Sequence, residues 1–271
     1  MIQTLYNGAS GLTGQQKNID VIANNVANVN NDGFKKERFD FQDALYMRMR
    51  APHPASNGPE KNLMRGSGTI EYQTASVLIQ GALRETDRVL DFALDGPGFF
   101  AVEPPFENED YEGEADISIH LIRNGNFHLS VEEEGTFLVD SHGRYLLSED
   151  GERIVLPPEM PPEELVCDSE GYLYYFDAEG NQIDLVRLQI VDFVNPGGLE
   201  DIGNGAYIQT ENSGEMVESG AAVLQRRLEA SNVDYSEEVT RLIRAQRAFQ
   251  MASRVVTTAD QMMGIANSIR Q

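Results

Sequence analysis

Apolar residues recur at alternating steps of three and four at the start of the chain: Ile2, Leu5, Ala9, Leu12, then Gln16, then Ile19, Ala23 and Val26. Steps of that kind place side chains on one narrow face of a helix, the seam of a coiled coil. Gln16 is the one polar member, the type of seam residue that fixes register at a cost in stability. Asn28, Asn30, Asn31, Asp32 and Gly33 then tolerate left-handed backbone and end the helix. The other end of the chain repeats the pattern with Leu242, Ala245, Phe249, Ala252, Val256, Ala259, Met263 and Ala266. Ser231, Asn232 and Asp234 offer N-caps for it, and Glu237 and Glu238 suit its first turn. Gly264 weakens this helix by about 1 kcal/mol relative to alanine without ending it. The spacing alone favours pairing of the two ends within one chain, whereas the narrow seams, near-neutral charge and placement at both extremes favour pairing with helices of other chains.

Between the ends the pattern changes. Branched and aromatic runs are punctuated by turn signals at Arg123-Asn124-Gly125-Asn126, Glu134-Gly135, Ser141-His142-Gly143, Glu149-Asp150-Gly151, Ser169-Glu170-Gly171 and Ala178-Glu179-Gly180. Turns at that rhythm indicate a hairpin-rich sandwich or open barrel. Phe127, Leu129 and Val131 alternate as strand residues do. Pro52 to Gly68, Pro104 to Asp116 and Pro157 to Glu164 read as linkers or loops. The expected fold is α+β, with long N- and C-terminal helices of coiled-coil type flanking a central, mostly antiparallel β-domain, joined by an extended connector. The expected division is a helix over 1–33, the connector over 34–69, the β-domain over 70–220 and a helix over 221–271.

Charge divides the chain in the same places. Residues 1–50 hold 6 Lys+Arg against 5 Asp+Glu, residues 222–271 hold 7 against 5, and residues 51–221 hold 8 against 34, a net −26. An acidic middle argues against nucleic acid, whose binding rests on phosphate neutralisation. It also separates like copies by repulsion, which the near-neutral ends lack. No apolar run approaches the roughly 18–20 residues that cross a bilayer, and Met1 to Gly8 shows no cleavable signal.

Chemistry is sparse. His53, His120, His128 and His142 are scattered without zinc-type spacing. Asp95-Gly96-Pro97-Gly98-Phe99-Phe100 precedes a β-like run and not a helix, so it reads as a tight turn rather than a phosphate loop. The carboxylate clusters sit in hydrophilic surroundings where ionised, solvated groups are the default. Cys167 is the lone cysteine and reads as a buried thiol. No catalytic residue, cofactor site or metal site is expected.

Two motifs carry a resemblance. Gly11-Leu12 through Gln15-Gln16, then Ile19 to Asn30 with Asn24, Asn25, Ala27 and Asn28, then Asp32-Gly33-Phe34-Lys35, resembles the N-terminal signature of the bacterial flagellar rod and hook family. Leu228-Glu229-Ala230-Ser231-Asn232-Val233-Asp234, Arg244 to Phe249 with Gln246, and Thr257 to Met263 with Asp260 and Gln261 resemble its C-terminal signature. Weaker likeness extends to Gly96 to Val102, Arg123 to Phe127 and Gly198 to Tyr207. The resemblance implies a non-enzymatic axial subunit of the basal body, carried out by the flagellar export apparatus. It implies that the terminal helices polymerise with copies of the chain and with neighbouring rod and hook subunits, the β-domain lying outside. Length and connector resemble the distal-rod branch, with the proximal rod or a hook-type subunit as alternatives. A secreted acidic β-domain adhesin and a β-fold carbohydrate hydrolase are the readings from other classes.

Overall fold

The computed structural model describes residues 2–43, 47–48, 64–65, 69–104, 119–132, 135–157, 160–176 and 181–269. His53, Leu45-Tyr46, the acidic stretch 107–116 and the side chain of Ile2 lie outside the described residues. The chain divides into a helical unit (1–27, 37–76, 234–271) and a β-unit (28–36, 77–233). Two terminal helices thus flank a mostly antiparallel, β-rich central region.

The helical unit contains α1 (Ile2–Ala27) and α2 (Tyr235–Ser268). Asp234 caps α2, its carboxylate accepting from the N–H of Ser236 (2.8 Å) and Glu237 (3.1 Å). Arg241 pairs with Glu237 one turn away at 2.6 Å. α2 continues through Gly264. Gly8, Gly11 and Gly14 lie within α1, and each weakens a helix by about 1 kcal/mol relative to alanine. Packing must therefore hold it. A two-stranded ribbon completes the unit: Glu37–Asp43 pairs antiparallel with Thr69–Ser76, with a register shift between Asp40 and Phe41. The Phe39 and Phe41 rings meet edge to face at 4.9 Å.

In the β-unit, every strand pair among the described residues is antiparallel. A ten-stranded sheet runs from Val155–Leu156 through Gly135–Asp140, Tyr145–Leu146, Phe99–Glu103, His120–Ile122 and Ala206–Ile208 to Glu200–Gly203, with three further strands attached. A three-stranded sheet (Val166–Cys167, Tyr172–Phe176, Gln182–Arg187) lies apart from it in pairing. The core is Phe92, Leu94, Phe100, Val102, Ile122, Phe127, Leu138 and Leu146 with their neighbours, all essentially without solvent contact. Phe100 and Phe127 stack edge to face at 5.6 Å.

The turns at Ser141-His142-Gly143, Glu149-Asp150-Gly151 and Ser169-Glu170-Gly171 close antiparallel pairs, Glu134 and Ala178-Glu179-Gly180 lie outside the described residues, and Asn124-Gly125 closes no hairpin. It joins His120–Ile122 to Phe127–Glu132, strands that pair with different neighbours. The alternation at Phe127, Leu129 and Val131 is also graded. Phe127 is buried, Leu129 half-buried and Val131 exposed, because the strand runs outward from the core.

Candidate functional site

The two family-like motifs build two different places, one in each unit. In the helical unit, α1 and α2 run antiparallel: Gly8 lies against Val256, and Asn25 lies against Glu238 at the opposite end. A Cβ on Gly8 would sit 2.6 Å from the Val256 Cγ2, so glycine is what allows this approach. The α2 row Leu242, Ala245, Phe249, Ala252, Val256, Ala259 and Met263 is the buried or half-buried side of its helix. Its alanines thin the contact.

α1 meets it at Gly8 and Asn25, which lie off the apolar row. Gly8, Gly11, Gln15, Asn18, Ile22 and Asn25 are buried or half-buried at three–four spacing, one residue ahead of the apolar seam. Within that seam Leu5, Leu12, Ile19 and Val26 are half-buried. Gln16 is exposed and donates to Asp20 Oδ1 at 3.0 Å. Asn24, Ala27, Gln246, Asp260 and Gln261 are exposed, and Asn28 is half-buried.

Asn25 anchors one end of the pair. Its amide accepts from Glu37 N–H (2.9 Å) and donates to Glu37 C=O (2.8 Å), as a neighbouring strand would. It also donates to Glu238 Oε2 at 3.3 Å. Asn25 and Glu238 are both buried. A buried polar pair that is hydrogen-bonded on several sides fixes one geometry, since any other leaves polar atoms unpaired. Beside it lies a cavity of about 300 Å³, lined by Asn18, Ile22, Phe39, Arg241, Arg244 and Ala245 among others.

In the β-unit the second place is a buried ionic hub. Glu229 Oε1 accepts from Lys35 Nζ (2.5 Å) and from Gly81 N–H (2.7 Å). Its Oε2 accepts from Arg123 Nε at 2.5 Å, and its backbone C=O accepts from Gly33 N–H at 2.6 Å. Arg123 spends its remaining donors on the carbonyls of Leu94 (3.3 Å), Gly96 (2.6 Å) and Gly98. Lys35 also donates to Ile79 C=O at 2.9 Å. All three side chains are at most 4% exposed. Burial pulls the Lys35 ammonium below its usual range, and the neighbouring Glu229 carboxylate opposes that shift.

The hub gathers pieces distant in sequence: Gly33-Phe34-Lys35, Gly96 to Gly98, Arg123 and the segment 228–233. Gly33 has φ of 73°, and a Cβ there would lie 2.6 Å from the Asn124 backbone nitrogen, so both conformation and space demand glycine. Asn232 completes the crossing. It accepts from Lys36 N–H (2.7 Å) and donates to the carbonyls of Val77 (2.7 Å) and Ile79 (2.9 Å). Val233 is buried, while Phe34 and Ser231 are half-buried.

Among the described residues nothing comparable assembles reactive groups. Among the described residues no cluster of His, Cys, Asp or Glu could hold a metal ion. His120 is half-buried, its pKa lowered by burial and by the nearby Arg144, while His128 and His142 are exposed. Cys167 is half-buried, and burial pushes its thiol up to about 12. A cavity of about 530 Å³ in the β-unit is lined by Arg187, Gln189 and Ser219 among others, with Arg187 neutralised by Glu149 and Glu218. No described helix is long and apolar enough to cross a membrane.

Two family models match the chain: "Flagella basal body rod protein" over residues 5–35, and "Flagellar basal body rod FlgEFG protein C-terminal" over residues 224–269. The flagellar basal-body rod protein FlgG of Borreliella burgdorferi is 34% identical, over 100% of this chain and 100% of its own. The chain belongs to the flagellar basal-body rod protein family. FlgG of Bacillus subtilis is also 34% identical, covering 97% of each chain. The flagellar hook-basal body complex protein FlhP of that organism is 27% identical over 100% of both. The rod-family segments 5–35 and 224–269 contain most of α1, all of α2, Lys35 and Glu229, so they hold most of the helix pair and two of the three hub side chains.

Sequence reading named Asn25, Gly33 and Asn232 but not Arg123, Glu229 or Glu238 as site residues. Those three act through partners roughly a hundred or more residues away. No local periodicity marks such contacts.

Proposed function

We propose that the chain is a structural subunit of the distal part of the flagellar basal-body rod. In this reading it self-assembles through its terminal helices into a hollow helical axial structure that transmits torque to the hook. Its partners are further copies of itself, neighbouring rod and hook subunits and, on the way out of the cell, the flagellar export apparatus. The observation that carries the reading is 34% identity over the whole chain to a protein named as a basal-body rod subunit.

The finer parts of the reading rest on physical grounds. Within the spans 1–33 and 221–271, α1 and α2 act as polymerisation segments of coiled-coil type, and the β-unit acts as the outer domain. The span 34–69 acts as the extended connector. Narrow seams, glycine and alanine contacts and near-neutral ends all favour close helix packing between copies. α1, weakened by its glycines, gains most from added helix contacts.

The test is deletion of the gene followed by electron microscopy of purified basal bodies. The expected result is a rod truncated before its distal segment, with no hook attached. A complete rod and hook in the deletion strain would contradict the assignment.

A further inference from the structure

Two histidines flank a buried ion pair at the rim of the β-unit. Asp140 and Arg144 are 6 and 7% exposed. Asp140 Oδ2 accepts from Arg144 Nε at 2.6 Å, and its Oδ1 accepts from the N–H groups of His142 (2.8 Å) and Arg144 (3.0 Å). One carboxylate thus holds both the arginine and the turn 140–144. Arg144 Nη2 reaches further, to the Asn204 carbonyl at 3.3 Å and to His142 Nδ1 at 3.4 Å. Asn204 and Gly205, at φ of 53° and 67°, form the turn that joins Glu200–Gly203 to Ala206–Ile208. Arg144 therefore ties this edge hairpin to the turn 140–144.

The arrangement is built for neutral imidazoles. Arg144 has only donors, so His142 meets it through an unprotonated Nδ1. His120 lies on the strand that pairs with Ala206–Ile208, and its Nδ1 is buried without a hydrogen-bond partner among the described residues. A proton on His120 brings a second cation beside Arg144, and a proton on His142 brings a third. Against them stands the single Asp140 carboxylate, which His142 Nδ1 approaches only to 3.8 Å. Among the described residues the other titratable groups of the neighbouring strands are engaged elsewhere. Glu103 binds Arg153 at 2.6 Å, Tyr145 donates to Glu132 at 2.8 Å, and Tyr207 packs on Phe99 in a separate cluster. Glu200 and Asp201 are exposed, and Asp201 accepts from the Gly203 N–H at 2.7 Å.

We propose that this cluster is an acid-sensitive latch, in which protonation of His120 and His142 draws Arg144 off the Asn204 carbonyl and loosens the hairpin 200–208. Glu200–Gly203 is the last strand of the ten-stranded sheet and is exposed along its whole length. Its loosening uncovers the hydrogen-bonding row of the strand behind it, turning a covered sheet edge into an open one. Burial and Arg144 hold the His120 imidazole below its ordinary 6.5, so the unfolded chain takes up that proton first. The latch is closed above that value and weakens as the pH falls below it.

The test follows amide exchange of the full chain at pH 7.5 and 5.5, each rate being divided by that of the unfolded peptide at the same pH. The amides of Ala206 to Ile208 are expected to lose at least tenfold in protection at pH 5.5, and those of Phe99–Glu103 less than twofold. His120→Gln with His142→Gln is expected to abolish the loss. Unchanged protection of the hairpin in the native chain, an equal loss across Phe99–Glu103, or the same loss in the double variant would overturn the latch. A misfolded variant leaves the native chain to decide by NMR. There the His120 ring and the Ala206 amide are expected to shift with one common midpoint, and separate midpoints would overturn the latch.

Discussion

In the β-unit the large side chains close on one another. Phe92, Phe100, Phe127, Leu138 and Leu146 have no exposed surface, and the buried charges of Lys35, Arg123 and Glu229 satisfy one another. In the helical unit the only described apolar residues that are buried are Ile22, Ala245 and Ala259, while Met251, Val255, Met262 and Ile265 face solvent. The β-unit has buried what it can bury within one chain. The helical unit keeps apolar surface in reserve, as expected of the part that works by meeting another molecule.

That contrast can be broken most severely at the hub. Glu229→Ala leaves Lys35 and Arg123 buried without their anion, and is expected to cost about 3–5 kcal/mol. Urea unfolding followed by β-sheet circular dichroism measures it. A loss under about 1 kcal/mol would mean that water reaches the site and that the unit is less closed than described.

Phe249→Asp places a charge in the α1–α2 contact. The expected result is loss of α1–α2 pairing, a large drop in helical signal and loss of assembly, with the β-unit's unfolding midpoint unchanged. A matching fall in that midpoint would show that the two units do not fold independently. Gly8→Leu drives a side chain into Val256, and overpacking of about 1–3 kcal/mol should lower the melting of the helices alone. Asp234→Ala removes the α2 cap and should cost about 1 kcal/mol, read as earlier exchange of the Ser236 and Glu237 amides.

The smallest effect concerns Cys167. With its thiol pushed up to about 12, the thiolate is scarce at pH 8 and alkylation of the native chain should be slow. Denaturant should release it together with the β-unit, and fast labelling of native chain would contradict its placement.

The sequence revealed some of this and concealed the rest for physical reasons. The α2 row was legible because apolar residues make its contact, and periodicity reports apolar residues. The contacts of α1 were not, because Gly8 and Asn25 touch α2 at Val256 and Glu238, and a hydrophobic pattern is blind to glycine and amide contacts. The antiparallel β-region was legible from its turns. The crossing at Asn124-Gly125 was hidden because a turn signal says nothing about which strands pair. Arg123 and Glu229 were hidden because nothing near them in sequence explains a buried charge.

Amide hydrogen exchange, compared between dilute monomer and isolated rods, tests the central contrast most directly. Amides of α1 and α2 are expected to exchange quickly in the monomer and gain protection of at least tenfold on assembly, while core strands such as Phe99–Glu103 and His120–Ile122 exchange slowly and alike in both. Protection gained chiefly in those strands, with the helices unchanged, would contradict it.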